Sequence, residues 1–168
     1  GEGERIHAAA PSPDLLGMQL PATLPGCVHL DLLEAGLIAD PVTELHESAQ
    51  HWIGRASWTY ATTFAAPPPA ARHELVLGGV DTDAEVWLNG SHLATLRNVH
   101  RTYRLDVTDV LTAGENRLEL RFGAQATIAE AKRRELGALP SPYTDPINMS
   151  RRMACEFGWD WGPTFVTA

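Results

Sequence analysis

The sequence predicts an all-β fold, an antiparallel sandwich, on three observations. Trp58, Tyr60, Thr62 and Phe64 alternate with smaller or polar residues, the period of a half-buried strand. Leu118, Leu120 and Phe122 alternate with Arg117, Glu119 and Arg121 in the same way. Between these runs, Asn89-Gly90 directly follows Ala84, Val86 and Leu88. Asn-Gly is the strongest short hairpin signal, because both residues tolerate positive φ. Short strands separated by turn residues are the pattern of a sandwich.

Taken in order, the first element is a helical piece. Cys27 to Ala35 carries Val28, Leu32 and Ala35 on one side, preceded by Pro25-Gly26 and stopped by Gly36. The strand through Trp58 and Phe64 is broken by Pro67-Pro68-Pro69. His73 to Leu77 is the next strand, closed by Gly78-Gly79. Ala84, Val86 and Leu88 face one way, Glu85 and Trp87 the other, and His92 to Leu96 returns antiparallel after the turn. Thr102 to Val107 and the run through Phe122 complete the strands. Thr127-Ile128-Ala129-Glu130 has the form of a capping box, predicting a second helix to about Leu136 that ends at Gly137. The segment from Pro140 to Pro146 reads as a proline-stiffened loop, so residues 124–150 form a long insertion between two strands.

At 168 residues the chain suits one domain with a real core. Its net charge of -8, with no basic stripe, argues against nucleic acid as a partner. No apolar run approaches the roughly 20 residues of a membrane span. The opening Gly1-Glu2-Gly3-Glu4-Arg5 has no hydrophobic signal core, which leans toward a cytoplasmic location without deciding it. Cys27 and Cys155 are far apart and are expected to be two buried free thiols. The seven histidines show no metal-ligand spacing, and nothing calls for a cofactor.

The segment Phe157-Gly158-Trp159-Asp160-Trp161-Gly162-Pro163 carries the chemistry. It places one carboxylate between two indoles and flanks them with glycines. A carboxylate accepts two hydroxyl hydrogen bonds at once. Indole faces beside such an acceptor suit a sugar, which has C–H faces and a rim of hydroxyls. The plainer alternative is a core Trp pair with an exposed loop Asp.

This motif resembles the end of the N-terminal domain of β-mannosidases, in the glycoside hydrolase family that also holds β-galactosidases and β-glucuronidases. Further stretches match in the same order. They are Leu24 to Leu32, Gly36 to Pro41, Trp52-Ile53-Gly54-Arg55, Trp58-Thr59-Tyr60, Gly79 to Thr82 and Val86 to Gly90. The likeness runs from about Leu20 onward; the final motif is specific to the mannosidase branch and the hairpin is shared across the family. One departure is His46-Glu47, where the family usually has Asn-Glu.

The resemblance implies a galactose-binding-type jelly roll over residues 1–168, with one or two short helices. It implies that Trp159, Asp160 and Trp161 face the terminal sugar in the −1 subsite, Asp160 accepting its hydroxyls. Arg151 and Arg152 match a basic pair ahead of the motif, where a guanidinium would orient Asp160 or hydrogen-bond substrate. Asn98 and Arg101 match a polar element before the Tyr103 strand. The alternatives are interface packing for either Trp, a salt bridge for the arginines, and backbone contacts within a loop for Asn98 and Arg101.

Retaining hydrolysis needs two carboxyl groups roughly 5–5.5 Å apart. The resemblance puts both on glutamates of a later barrel domain, absent from this chain, so no residue here is expected to be catalytic. Glu44 and Glu47, or Glu156 with Asp160, are the nearest pairs on offer and neither is favoured. Thr164 to Ala168 reads as the start of a strand, so the chain is expected to be a fragment cut before its last strand. The expected partners are a β-mannoside and the remaining domains of the enzyme. A non-catalytic carbohydrate-binding module, or the same domain of a β-glucosaminidase or β-galactosidase, are the competing readings.

Overall fold

The alternation seen in the sequence places three rows of side chains across one large sheet. A computed structural model describes residues 2–9, 17–137, 139–141 and 145–168, with residues 2–9 and 159 described by backbone alone. Its strands are β1 (Glu2–Ala9), β2 (Gln19–Thr23), β3 (Ser57–Ala65), β4 (Glu74–Leu77), β5 (Asp83–Leu88), β6 (Ser91–Arg97), β7 (Tyr103–Asp106), β8 (Glu115–Phe122), β9 (Phe157–Trp159) and β10 (Gly162–Thr164). The helices are α1 (Val28–Glu34) and α2 (Gln125–Leu136). An antiparallel six-stranded sheet runs β2-β1-β3-β8-β5-β6, β4 pairs with β7, and β9 with β10.

Register explains the core. Trp58 lies opposite Phe122 and Phe122 opposite Ala84; Tyr60 opposite Leu120 and Leu120 opposite Val86; Thr62 opposite Leu118 and Leu118 opposite Leu88. Each row crosses β3, β8 and β5 on the same face, because side chains two apart on a strand share a side. Trp58, Val86, Leu88 and Leu96 are fully buried, and Val28, Leu32 and Ile53, from α1 and the turn before β3, share one core cluster with Trp58, Val86 and Leu96. Trp58 donates its indole N–H to the Ile53 carbonyl at 3.0 Å, so burial of the ring strands no donor. On the opposite face, Arg121 lies over the Trp87 ring at 4.4 Å and Glu119 binds both Arg117 and Arg121.

The Asn89-Gly90 turn forms as predicted, with φ of 52° and 80°. Asn116, fully buried, fixes it: its Oδ1 accepts from Asn89 Nδ2 and from the Thr112 N–H, and its Nδ2 donates to the carbonyls of Thr112 and Gly114. Helix α1 also forms as predicted. Gly36, at φ 67°, donates to Leu33 O and Leu37 N–H to Leu32 O, the paired bonds of a Schellman stop.

Three expectations change, and one strand forms where none was predicted. Helix α2 begins at Gln125, not at a Thr127 cap, and no side chain caps it. Gln125 instead clasps the start of β5, accepting the Asp83 N–H and donating to the Asp83 and Gly123 carbonyls. Glu130 is drawn away to Arg55, in two hydrogen bonds of 3.1 and 2.5 Å. The N-terminal residues, which carry no strand signal, form β1 and link β2 to β3. Cys155 is exposed and Cys27 half-buried, so the two free thiols are not both interior. Ladder pairing ends at Thr164; beyond it, the Ala168 carbonyl accepts from Val28 N–H and Tyr60 Oη instead of a neighbouring strand. The predicted loop 140–146 falls partly outside the described residues. Among the described residues, no helix is long and apolar enough to cross a membrane.

Candidate functional site

The Trp-Asp-Trp motif folds as a tight hairpin. In β9 and β10, Trp159 pairs with Gly162 and Phe157 with Thr164, which leaves Asp160 and Trp161 as a two-residue turn. Gly158 permits it: φ is 94°, and a Cβ there would come within 2.8 Å of Thr164 Oγ1. Asp160 is exposed and Trp161 is 82 % exposed. The Trp159 side chain lies outside the described residues.

The base of this hairpin is pinned from two sides. Thr164 N–H donates to Glu47 Oε1 at 2.6 Å, across 117 residues of sequence. That amide is the main reason the Glu47 carboxyl stays below its ordinary range, with His51, 3.5 Å away, acting in the same direction. Phe165 N–H donates to the Glu156 carbonyl at 2.8 Å, and Phe157 is buried.

Behind the hairpin lies a buried charge cluster. The Arg152 side chain is 0 % exposed. Its Nη2 donates to Glu156 Oε2 and, at 2.9 Å, to the Thr167 carbonyl; its Nε is 3.5 Å from Asp81 Oδ1. Burial pushes the Glu156 carboxyl up to about 8, and Asp81 adds to that by accepting a hydrogen bond from its protonated form. Arg152 opposes both effects. Glu156 thus accepts from Arg152 while burial and the neighbouring Asp81 favour its protonated form.

The residues picked from the sequence thus separate into two groups. Asp160 and Trp161 form the exposed tip. Arg152 is behind the tip, and among the described residues no hydrogen bond or ion pair joins it to Asp160; its contacts are with Glu156 and Asp81. Arg151 is exposed, and its carbonyl accepts Val99 N–H at 3.0 Å, which ties the β6–β7 loop to this segment. In that loop, Asn98 Oδ1 closes its own turn on His100 N–H at 2.9 Å, and Tyr103 Oη donates to the Asn98 carbonyl. Arg101 lies over the Tyr103 ring.

Sequence reasoning did not find Glu47 or Asp81 as supports of the hairpin. Glu44 is an exposed residue at φ 52° and does not pair with Glu47 as two acids on one helical turn would.

A family model described as glycosyl hydrolase 2 galactose-binding domain-like matches residues 6–168. A β-mannosidase of Bos taurus is 35% identical over 162 residues, covering 89% of this chain and 18% of that protein. The crystal structure of a β-D-mannosidase from Dictyoglomus thermophilum matches with a TM-score of 0.89 at 31% identity, over 100% of this chain and 20% of that one. An exo-chitosanase of Amycolatopsis orientalis, at 23% identity and a TM-score of 0.60 over 73% of this chain and 16% of its own, shares the fold. The chain spans about a fifth of the length of the β-mannosidases it matches.

Proposed function

The chain belongs to the galactose-binding-like domain family of the glycosyl hydrolase 2 enzymes, related to β-mannosidases, and on that premise we propose that it supplies part of the −1 sugar subsite of a retaining exo-β-mannosidase. The observation that carries this reading is the tip of the hairpin: a carboxylate and an 82 % exposed indole side by side on a two-residue turn whose base is fixed. An indole beside an acceptor-only carboxylate matches the C–H face and hydroxyl rim of a terminal mannose.

In this reading Asp160 accepts two sugar hydroxyls and Trp161 packs on the sugar. Arg152 acts as a positioning residue, holding residues 156 and 167 on either side of the hairpin so that the tip keeps one aim. Arg151 and Asn98 rim the same region through the Val99 link. Bond cleavage needs two carboxyl groups flanking the glycosidic oxygen. Glu156 and Asp81 are committed to Arg152 behind the hairpin, so that pair comes from the remainder of the longer protein.

The test is Asp160→Ala in the full-length enzyme, assayed on an aryl β-mannoside. We expect kcat/KM to fall roughly 10²-fold or more, since sugar hydroxyls are left unpaired in a closed site. An unchanged kcat/KM removes Asp160 from the subsite.

A further inference from the structure

Strand β10 has β9 on one side and, among the described residues, no strand on the other. Successive amides of an antiparallel strand point to opposite edges. Phe165 N–H turns toward the β9 side and donates to the Glu156 carbonyl at 2.8 Å; Thr164 N–H turns away and donates to Glu47 Oε1 at 2.6 Å. A carboxylate stands where the carbonyl of a neighbouring strand would be. We propose that Glu47 is a positioning residue for the substrate: it sets the direction of the turn that bears Asp160 and Trp161, a role that rests on the −1 subsite reading.

Glu47 belongs to a turn that is held without the hairpin. Its carbonyl accepts Gln50 N–H at 2.9 Å, and Gln50, 4 % exposed, donates its side-chain amide to the Ala39 carbonyl at 2.7 Å. The bond to Thr164 is charge-assisted, which makes it roughly twice as strong as one between neutral groups. That amide is also the main cause that keeps the Glu47 carboxyl below its ordinary range. The hairpin needs such an anchor. Its two strands are joined in register only at Gly162–Trp159 and Thr164–Phe157, and an isolated two-stranded ribbon is marginal in water. The bond also lies at the hinge end of a lever. From Thr164 to Trp161 the strand rises about 10 Å, so a swing of about 10° at Thr164 carries the tip roughly 2 Å. A misplacement of about 1 Å can cost about 10²-fold in rate.

The experiment is steady-state hydrolysis of an aryl β-mannoside by the full-length enzyme carrying Glu47→Ala, Glu47→Gln, Asp160→Ala, or Glu47→Ala with Asp160→Ala. Glu47→Ala should lower kcat/KM about 10- to 100-fold. Glu47→Gln keeps an oxygen for Thr164 N–H and should stay within about threefold of wild type. In the Asp160→Ala background Glu47→Ala should cost less than about twofold, because the group it aims is gone; a general loss of structure would cost the same in both backgrounds. Glu47→Asp keeps the charge but falls one methylene short of the amide, and should behave as the alanine variant does; it keeps the test decisive if Glu47→Ala does not fold. The proposal is overturned if neither shortened variant is impaired, if Glu47→Gln is as impaired as Glu47→Ala, or if the loss persists in the double variant. Wild-type kcat/KM in Asp160→Ala sinks the −1 subsite reading and this role with it. A normal Glu47→Ala beside an impaired Asp160→Ala sinks the positioning role alone.

Discussion

Replacing Arg152 by Met tests whether the buried cluster supports the hairpin or whether this arginine serves the substrate directly. The side chain is 0 % exposed and answers Glu156, Asp81 and the Thr167 carbonyl. At pH 6 Glu156 is protonated with or without the arginine, because its folded-state value is raised to about 8 from an ordinary 4.5. The loss there is two hydrogen bonds from a charged donor, about 2–4 kcal/mol reduced by the methionine's apolar packing. Above pH 8 the native cluster holds an ionised Glu156 against Arg152. The variant must then either keep the proton or hold two carboxylates with no cation. Breaking a buried pair in this way costs about 3–5 kcal/mol. The sign follows from linkage. A carboxyl raised in the folded state loses its stabilising contribution as pH rises from the unfolded value through the folded one. The wild-type loss is complete just above pH 8. Without Arg152 the folded value rises further, so the variant keeps losing up to about 1.4 kcal/mol per pH unit beyond that point. Urea unfolding at pH 6, 7.5 and 9 reads this directly. A variant within about 0.5 kcal/mol of wild type at pH 9, or a pH-independent deficit, refutes the reasoning. Lost turnover with unchanged stability would return Arg152 to the substrate.

Three other outcomes follow from the same geometry. Glu156→Gln should flatten the stability profile between about pH 4.5 and 8, where the wild type declines, since the amide cannot ionise; superimposable profiles would deny the raised carboxyl. Gly158→Ala should cost about 1–3 kcal/mol and lower kcat/KM, because φ is 94° and the new methyl meets Thr164 Oγ1 at 2.8 Å. Adding Thr164→Ala relieves the clash and not the dihedral, so rescue should be partial; full rescue or none contradicts this division. Trp87→Ala should cost about 1–2 kcal/mol through its contacts with Arg121 and His92 and leave kcat/KM alone. A kinetic defect there would mean the outer sheet face takes part in binding.

What could be read in the sequence was whatever is written locally. Period-two alternation identified β3, β5 and β8 because one face of each is buried. Asn89-Gly90 and Gly36 were legible because positive φ restricts the residue choice. The glycines around Asp160 marked the segment, but not that it folds as a hairpin. The failures share one cause, pairing across long sequence distances. Strand β1 is polar and glycine-containing, and is ordered through its neighbours β2 and β3. Thr127 looks like a cap until Gln125 is seen clasping Asp83, 42 residues away. Glu47 meets Thr164 across 117 positions, and Asp81 meets Arg152 from a different loop. No window of local pattern contains both partners of such contacts.

The turn at Asp160 and Trp161 hangs from three-residue strands that join neither the six-stranded sheet nor the β4–β7 pair. Its attachments are at the root, through Thr164, Phe165 and the cluster on Arg152. The proposed recognition element is thereby set apart from the rows that cross β3, β8 and β5, which contain neither Asp160 nor Trp161. A scaffold of this form can acquire a new ligand by changing a pair of side chains, while the interior that keeps it folded is inherited intact.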